Sequence, residues 1–146
     1  MLNVEEIKKI FLEQIPLVGR QMKIDVMKAD DMEVVLSLPI EGNDNDKGTM
    51  FAGASYSALA VAGWCLAMNR AYKCGFTKPW AAITDAHCTY KKAIREDSVI
   101  KAVFKEEAHP VAGERNWLKV SASIGDAVFF EGTYAVGERK EIKCEK

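Results

Sequence analysis

The sequence predicts an α+β domain in which an antiparallel sheet wraps around one long buried helix. Two observations lead to this prediction. The segment from Ala52 to Tyr72 has helical length and is apolar on nearly every side, so other elements must enclose it. Segments with strand character lie on both sides of it along the chain, two before and four after. A sheet that curls around such a helix covers its whole apolar surface.

The chain before the buried helix is predicted to form one amphipathic helix and one hairpin. Apolar residues at helical spacing predict a packing helix ended by Pro16: Leu2, Ile7, Ile10, Phe11 and Ile15. Alternating apolar and polar residues predict strands at 23–28 and 32–38, and the Asp30-Asp31 pair between them is typical of a turn. The segment 40–50 is rich in Asn, Asp and Gly, which predicts a loop that leads into the buried helix.

After the buried helix the pattern predicts strands at 80–90, 98–106, 116–125 and 127–136. Their solvated face is expected to carry charged residues: Lys101, Lys105, Lys119 and Glu131. Their core face is expected to carry apolar residues: Val99, Ile100, Val103, Phe104, Leu118, Val120, Ile124, Phe130 and Tyr134.

The order of these elements is that of the hotdog fold, and we predict a single hotdog domain over residues 1–146. Six strands leave an edge of the sheet open, and the strand at 80–90 is apolar enough to pair with a second copy. We therefore expect a homodimer or a dimer of dimers.

Composition and charge argue against several classes of function. The chain is 49% apolar and 28% charged, as is typical of globular proteins. Its 20 basic and 21 acidic residues give a net charge of −1, so we expect no nucleic acid or membrane partner. The four cysteines and two histidines lack metal-ligand spacing, so we expect reduced thiols and no metal ion. The N-terminus mixes acidic and basic residues, unlike a signal peptide, which predicts a cytoplasmic protein.

The segment from Asn43 to Gly53 delivers the chain onto the N-terminal end of the buried helix. A helix start leaves several backbone N–H groups unpaired and carries about half a positive charge, so it can hold an oxygen that becomes negative. Ala52 and Gly53 are small enough to let a substrate carbonyl approach these donors. The alternative is that Gly48 and Gly53 only shape a turn.

The pattern N-x-N-x-K-G-T-x-F-A-G, followed by Ser55, Leu59 and Ala62-Gly63-Trp64, resembles a hotdog family of thioesterases and malonyl-acyl carrier protein decarboxylases. Members occur alone or joined to an N-terminal acetyltransferase domain, and the resemblance covers nearly the whole chain. It implies that a loop asparagine is the key catalytic side chain. Asn45 matches that position, and Asn43 is the alternative if the alignment is shifted by two residues.

The chain departs from the hotdog thioesterases that resemble phenylacetyl-CoA thioesterase. In those enzymes a similar loop continues into His-Gly-Gly, and an acidic residue further along the helix activates water. Phe51 and Ala52 stand in place of the His and the first Gly, and no Asp or Glu occurs between Met50 and Ala71. Hydrolysis would need an aspartate from elsewhere: Asp44, Asp46 or Asp85.

Decarboxylation of a malonyl thioester needs no water-activating base. The electron pair released with carbon dioxide moves into the thioester carbonyl, so the site must stabilise an enolate oxygen and keep the carboxylate in an apolar setting. We expect the Asn45 amide and the Gly53 N–H to be the catalytic donors, and apolar Phe51 to exclude solvent.

Substrate-binding candidates complete the expected site: Thr49, Phe51, Ala52, Ser55 and Asp85. For two of them a simpler role is also open, since Ser55 could cap the helix and Asp85 could be bonded to backbone at a dimer seam.

We therefore expect an enzyme that decarboxylates malonyl-acyl carrier protein or malonyl-CoA to the acetyl thioester that starts fatty acid synthesis. The alternatives are an acyl-CoA or acyl-carrier-protein thioesterase and a non-catalytic acyl-thioester binding module. No cofactor is expected beyond the phosphopantetheine that the substrate carries. Five basic residues are candidates for contacting coenzyme A phosphates or an acidic carrier protein: Arg70, Lys73, Lys91, Lys92 and Arg95.

Overall fold

Helices and strands follow one another in the predicted order. A computed structural model describes residues 1–140, and residues 141–146, which include Cys144, lie outside the described part. The elements are α1 (Val4–Glu13), a π-helical turn (Leu17–Gln21), β1 (Asp25–Ala29), β2 (Glu33–Leu38), α2 (Ala52–Lys73), β3 (Pro79–Tyr90), β4 (Ser98–Phe104), β5 (Asn116–Ile124) and β6 (Val128–Glu138). The sequence pattern does not predict the π-helical turn.

The six strands form one antiparallel sheet in the order β1-β2-β4-β5-β6-β3. Strand β2 is the second strand from one edge of the sheet. From there the chain passes through α2 and enters β3, which forms the opposite edge. Helix α2 packs against every strand from β2 to β6. The predicted α+β architecture, a sheet wrapped around a long buried helix, is confirmed.

Helix α2 lies close against Tyr134 of strand β6 at Gly63. A Cβ atom at this position would lie 2.3 Å from the hydroxyl oxygen of Tyr134 on β6, so only glycine fits. The Tyr134 hydroxyl donates a hydrogen bond of 2.6 Å to the Ala60 carbonyl of the same helix. Burial raises the pKa of Tyr134, which keeps the phenol a neutral donor. This contact fixes the distance between helix and sheet.

One part of the predicted core is wrong. Val99 is 53% exposed and Val103 is only half-buried, whereas Ile100 and Ala102 between them are buried. Successive residues of a strand point to opposite faces, so Val99 and Ile100 cannot both face the helix. Phe104 does face inward, where the guanidinium carbon of Arg70 lies 4.4 Å from its ring centroid.

Strand β3 is an edge of the sheet, as predicted. It is 12 residues long, and Asp85 is its only acidic or permanently charged residue. Trp80 and Ile83 on this strand are about 40% exposed. Among residues 1–140, no helix combines the length and the apolar character needed to cross a bilayer.

Candidate active site at the start of helix α2

A tight backbone turn places Asn45 in front of the first turn of α2. The Asn45 N–H donates to the Thr49 carbonyl at 2.8 Å, and the Phe51 N–H donates to the Asn43 carbonyl at 2.8 Å. Gly48 turns the chain between them with a φ of 71°, a left-handed conformation that favours glycine. The loop that the sequence predicted is therefore an ordered hairpin-like turn.

The side chain of Asn45 is held in one orientation by its own turn. Its Oδ1 accepts hydrogen bonds from the backbone N–H groups of Lys47 (2.9 Å) and Thr49 (3.1 Å). Because these donors identify the oxygen, the nitrogen of the amide is also assigned. Nδ2 donates one hydrogen to the Thr49 hydroxyl at 2.8 Å. Its second hydrogen has no acceptor among residues 1–140 and is available to a substrate.

Asn43, the alternative catalytic asparagine, has a different environment. It is buried, and its Nδ2 donates to the carbonyls of Met22 and Pro39, both at 2.8 Å. Both amide hydrogens are consumed by backbone carbonyls. Asn43 therefore joins the loop to the π-helical turn, and it has no hydrogen left for a substrate.

Helix α2 begins without a side-chain cap. Its N-cap residue is Phe51, whose side chain is 56% exposed and cannot accept a hydrogen bond. The N–H groups of Ala54 and Ser55 bond back to the Phe51 carbonyl. Within the described part of the chain, the N–H groups of Ala52 and Gly53 have no acceptor. These two donors carry the partial positive charge of the helix start.

Two clefts flank this first turn. The first, of about 280 Å³, is called the Asn45 cleft. It is lined by Asn45, Met50, Ala52, Ser55, Tyr90, Lys91, Lys92, Ala93, Ile94 and Val128. The second, of about 380 Å³, is called the Gly53 cleft. It is lined by Leu17, Met22, Gly42, Asn43, Asp44, Phe51, Gly53, Ala54 and Ser57.

The structure brings some of the predicted site residues together and separates others. Asn45, Ala52 and Ser55 line the same cleft, whereas Phe51 and Gly53 line the cleft on the other side of the helix start. Thr49 is buried behind Asn45, to which it is hydrogen-bonded.

Asp85 lies apart from the other predicted site residues. It is exposed and pairs with Thr133, on the face of the sheet that points away from α2. Neighbouring β6 residues Tyr134 and Phe130 point the opposite way, toward the helix. Within one chain, Asp85 does not reach the start of α2.

Ser55 combines deep burial with an unused hydroxyl. The residue is 1% exposed, and its Oγ has no hydrogen-bond partner among residues 1–140. Ser57, by contrast, donates its hydroxyl to the Gly53 carbonyl at 2.8 Å. The Ser55 hydroxyl is therefore a second side-chain group, beside Asn45, that the Asn45 cleft offers to a ligand.

The two clefts differ in charge. Among described residues, the only charged side chains that line the Asn45 cleft are Lys91 and Lys92. Asp44 is the only charged residue described in the Gly53 cleft. The described cysteines line neither cleft, and burial raises the pKa of the Cys65 thiol, which makes it a poor nucleophile. Residues 1–140 contain no group of three or more His, Cys, Asp or Glu side chains placed to hold a metal ion.

Comparison with known proteins identifies the family. The family model described as "Putative thioesterase (yiiD_Cterm)" matches residues 4–137. The chain belongs to this family. The match spans the whole of the described fold except its two ends, and the resemblance that the loop motif implied is confirmed.

Solved structures with low sequence identity share the fold. The structure of a protein from Shewanella oneidensis described as "putative thioesterase" is 20% identical, with a TM-score of 0.74 over 90% of this chain and 95% of that chain. One from Haemophilus influenzae is 9% identical, with a TM-score of 0.73 over 93% and 91%. A mutant thioesterase from Pseudomonas aeruginosa is 17% identical, with a TM-score of 0.70 over 93% and 94%. These likenesses confirm the hotdog fold.

Tyr90 is a site residue that sequence reasoning missed. It ends β3, lines the Asn45 cleft, and its hydroxyl donates to the Ala52 carbonyl at 2.9 Å. Burial, with a smaller contribution from Cys88, raises the pKa of Tyr90, so the phenol stays neutral. Its only sequence signal was an aromatic residue at a strand end. The contact arises because the edge strand crosses the start of α2.

We predict that the two loop asparagines differ in their effect on stability. Asn43→Ala should lower the free energy of unfolding by about 2–4 kcal/mol, because it leaves two backbone carbonyls without donors in a buried place. Asn45→Ala should lower the free energy of unfolding by only about 1 kcal/mol, because water can reach the Lys47 and Thr49 N–H groups that lose the Asn45 oxygen. Urea denaturation of both variants measures the difference. Equal losses would contradict the distinction between a structural Asn43 and an accessible Asn45.

Proposed function

We propose that the chain decarboxylates a malonyl thioester, carried by acyl carrier protein or coenzyme A, to the acetyl thioester that starts fatty acid synthesis. One observation carries this proposal. The Asn45 cleft offers hydrogen-bond donors, from Asn45, Ala52 and Ser55, but within residues 1–140 no carboxylate or imidazole lines it. Such a site can stabilise a developing oxyanion and lacks a base to activate water.

The reaction needs stabilisation of the developing negative charge and an apolar setting for the departing carboxylate. The bond between the carboxylate carbon and the α-carbon breaks, carbon dioxide leaves, and its electron pair moves through the α-carbon onto the thioester oxygen. The enolate then takes a proton from water at the α-carbon. Asn45 and Ala52 line the same cleft, which supports the proposal that the Asn45 amide and the Ala52 N–H hold that oxygen. Each such donor is worth about 3 kcal/mol in related oxyanion sites.

An apolar wall suits the departing carboxylate. Met50, Ile94 and Val128 line the Asn45 cleft, and the Met50 N–H is fixed to the Ile94 carbonyl at 2.8 Å. Removing water from a carboxylate raises its free energy, whereas neutral carbon dioxide loses nothing in an apolar setting. These three residues take the part that the sequence assigned to Phe51, which lines the other cleft.

Tyr90 strengthens the donors of the helix start. Its hydroxyl bonds to the Ala52 carbonyl, which belongs to the same peptide group as the Gly53 N–H. A hydrogen bond to the carbonyl oxygen polarises the whole peptide and makes its N–H a better donor. Gly53 stays a proposed donor of the helix start, but it lines the Gly53 cleft, so in the Asn45 cleft the Ala52 N–H takes the part that the sequence assigned to Gly53.

Thioester hydrolysis is the second candidate function. The family description supports it, and so does the placement of Asp44, which lines the Gly53 cleft together with Gly53 itself. A carboxylate beside unpaired N–H groups is the arrangement that a general base for water requires. In this reading the Gly53 cleft holds the acyl group.

The product of malonyl thioester turnover distinguishes the two reactions. Incubation with malonyl-acyl carrier protein and malonyl-CoA, followed by mass spectrometry, should show loss of carbon dioxide with the thioester intact. Asn45→Ala should slow this reaction about 100-fold, because a donor to the oxyanion is lost. Asp44→Asn is the matched control and should leave decarboxylation unchanged.

Three outcomes would contradict the proposal. A free thiol product whose formation Asp44→Asn abolishes would establish hydrolysis instead. Full turnover by Asn45→Ala would remove Asn45 from the mechanism. Unchanged malonyl thioester, bound but not converted, would indicate a binding module.

We also propose that two copies associate through β3. This strand is an open edge of the sheet and carries exposed apolar residues, including Trp80 and Ile83. An apolar edge strand without lysine or proline in its interior is a template for pairing with another strand. A symmetric pair of such edges forms a homodimer with one continuous sheet, and two dimers could associate further.

The state of association tests this pairing. Ile83→Lys places a charge on the exposed edge and should shift sedimentation from dimer to monomer. Val99→Lys, at a position that is also exposed but lies on the interior strand β4, is the matched control and should leave at least a dimer. A monomeric wild-type chain, or a dimer that survives Ile83→Lys, would refute association through β3.

A further inference from the structure

We propose that Lys91 and Lys92 form a phosphate-binding subsite at the rim of the Asn45 cleft. The phosphate is the one at the end of the phosphopantetheine arm, which coenzyme A and acyl carrier protein share. This inference rests on the proposed function, because it takes the Asn45 cleft as the place of the thioester. Beyond the proposed function, it identifies Lys91 and Lys92 as the residues that bind the phosphate of the carrier.

The first reason is the sign of the charge. Lys91 and Lys92 are the only charged residues described in the Asn45 cleft, which therefore has a purely positive lining. The adjacent cleft, which shares Lys92 and also contains Arg95, is lined by Glu96, Asp97 and Asp126 as well. A cleft with one sign of charge concentrates ligands of the opposite sign.

The second reason is that the backbone fixes both lysines beside the cleft. The N–H groups of Lys91 and Lys92 both donate to the Ala127 carbonyl, at 2.7 and 3.2 Å. The two residues follow Tyr90 directly, and the Tyr90 hydroxyl is bonded to the Ala52 carbonyl at the helix start. Their positions are therefore set by the β5–β6 turn.

The third reason is where the two ammonium groups lie. The Lys91 Nζ lies 5.0 Å from the ring centroid of Phe129, an exposed residue of β6. The Lys92 Nζ pairs with Asp126 in the turn, and the Lys92 side chain is 62% exposed. Both charges thus lie at the solvent rim, which suits a hydrated phosphate. They are not at the apolar wall, where the malonyl carboxylate must lose its water.

Position in the fold separates these lysines from two of the other basic candidates, Arg70 and Lys73. Arg70 and Lys73 lie at the C-terminal end of α2, about 30 Å from Ala52 at the usual rise per residue. The Arg70 guanidinium is moreover occupied by the carbonyls of Asp31 and Ala108. Arg70 thus holds structure together at the far end of the helix, and neither Arg70 nor Lys73 can contact the same ligand as Lys91 and Lys92.

Asp126 makes the subsite adjustable. It is exposed and ion-paired with Lys92, and the ammonium group beside it lowers the pKa of its carboxyl. A phosphate must compete with this carboxylate for Lys92. Asp126→Asn should therefore tighten the binding of phosphate-bearing ligands about two- to threefold, because exposed ion pairs are weak.

A comparison of 4′-phosphopantetheine with pantetheine tests the subsite, since the two differ only in the phosphate. Titration calorimetry at low salt measures their dissociation constants with the full chain. Lys91→Ala/Lys92→Ala should weaken 4′-phosphopantetheine about tenfold and leave pantetheine unchanged, because two charge-assisted contacts are lost. Titration of coenzyme A and of holo-acyl carrier protein identifies the carrier as the one that binds the wild-type chain more tightly. The affinity of that carrier for Lys91→Ala/Lys92→Ala should also fall about tenfold.

A matched control removes two positive charges elsewhere. The control variant is Lys73→Ala/Lys119→Ala. Lys73, like Lys91, has no ion-pair partner among residues 1–140, and Lys119 is paired with Glu106 as Lys92 is paired with Asp126. It should leave all affinities within about twofold, since both charges are exposed and screened.

Several results would overturn the subsite. In Lys91→Ala/Lys92→Ala these are an equal loss of affinity for 4′-phosphopantetheine and pantetheine, a loss for coenzyme A but not for 4′-phosphopantetheine, or no loss of affinity at all. An equal loss of affinity in the control variant would also overturn it. So would a wild-type chain that binds 4′-phosphopantetheine no more tightly than pantetheine. These ligands are not thioesters and do not react. A failure of decarboxylation would therefore leave the binding result interpretable.

Discussion

Helix α2 begins without a side-chain cap while the rest of its length is enclosed by the sheet. The sheet covers the helix because nearly all its side chains are apolar, and Gly63 against Tyr134 sets how closely the two layers approach. At the start, Phe51 stands where a serine or aspartate would ordinarily accept the first N–H groups. The same packing that buries the helix thus leaves two donors, Ala52 and Gly53, facing the surface. The site depends on these unpaired groups.

The elements around the helix start all serve to organise those donors. The loop turn holds the Asn45 amide in one orientation, and the edge strand brings the Tyr90 hydroxyl onto the Ala52 carbonyl. Donors that are fixed before the substrate arrives need no reorganisation when charge develops. With no acid in the Asn45 cleft within residues 1–140, this arrangement suits the proposed decarboxylation, in which negative charge moves onto oxygen and no base has to activate water.

Local patterns predicted the fold because each element has its own signal. The apolar length of α2 and the alternation in the strands were sufficient for the architecture, and the loop motif was sufficient for the family. The pattern failed at Val99 and Val103, because a strand with apolar residues on both faces does not reveal which face is buried. The pairing of β4 with β2, which sets that choice, is a long-range contact.

The site was predicted less completely, because it forms where distant segments meet. The motif led to Asn45 and the helix start, but it could not show that Asn45 and Gly53 line opposite sides of that start. Tyr90 and Lys91 come from a strand end 45 or more residues away from Asn45, and sequence spacing carries no record of that approach. Asp85, conversely, carries a carboxylate that could bind substrate or activate water, but the strand register places it on the outer face of the sheet.

A crystal structure with a malonyl thioester analogue that cannot lose carbon dioxide tests the central claim most directly. The account predicts the thioester oxygen in the Asn45 cleft, about 3 Å from Asn45 Nδ2 and from a backbone nitrogen of Ala52 or Gly53. An analogue whose thioester oxygen contacts none of these nitrogens, or whose acyl group fills the Gly53 cleft beside Asp44, would contradict it.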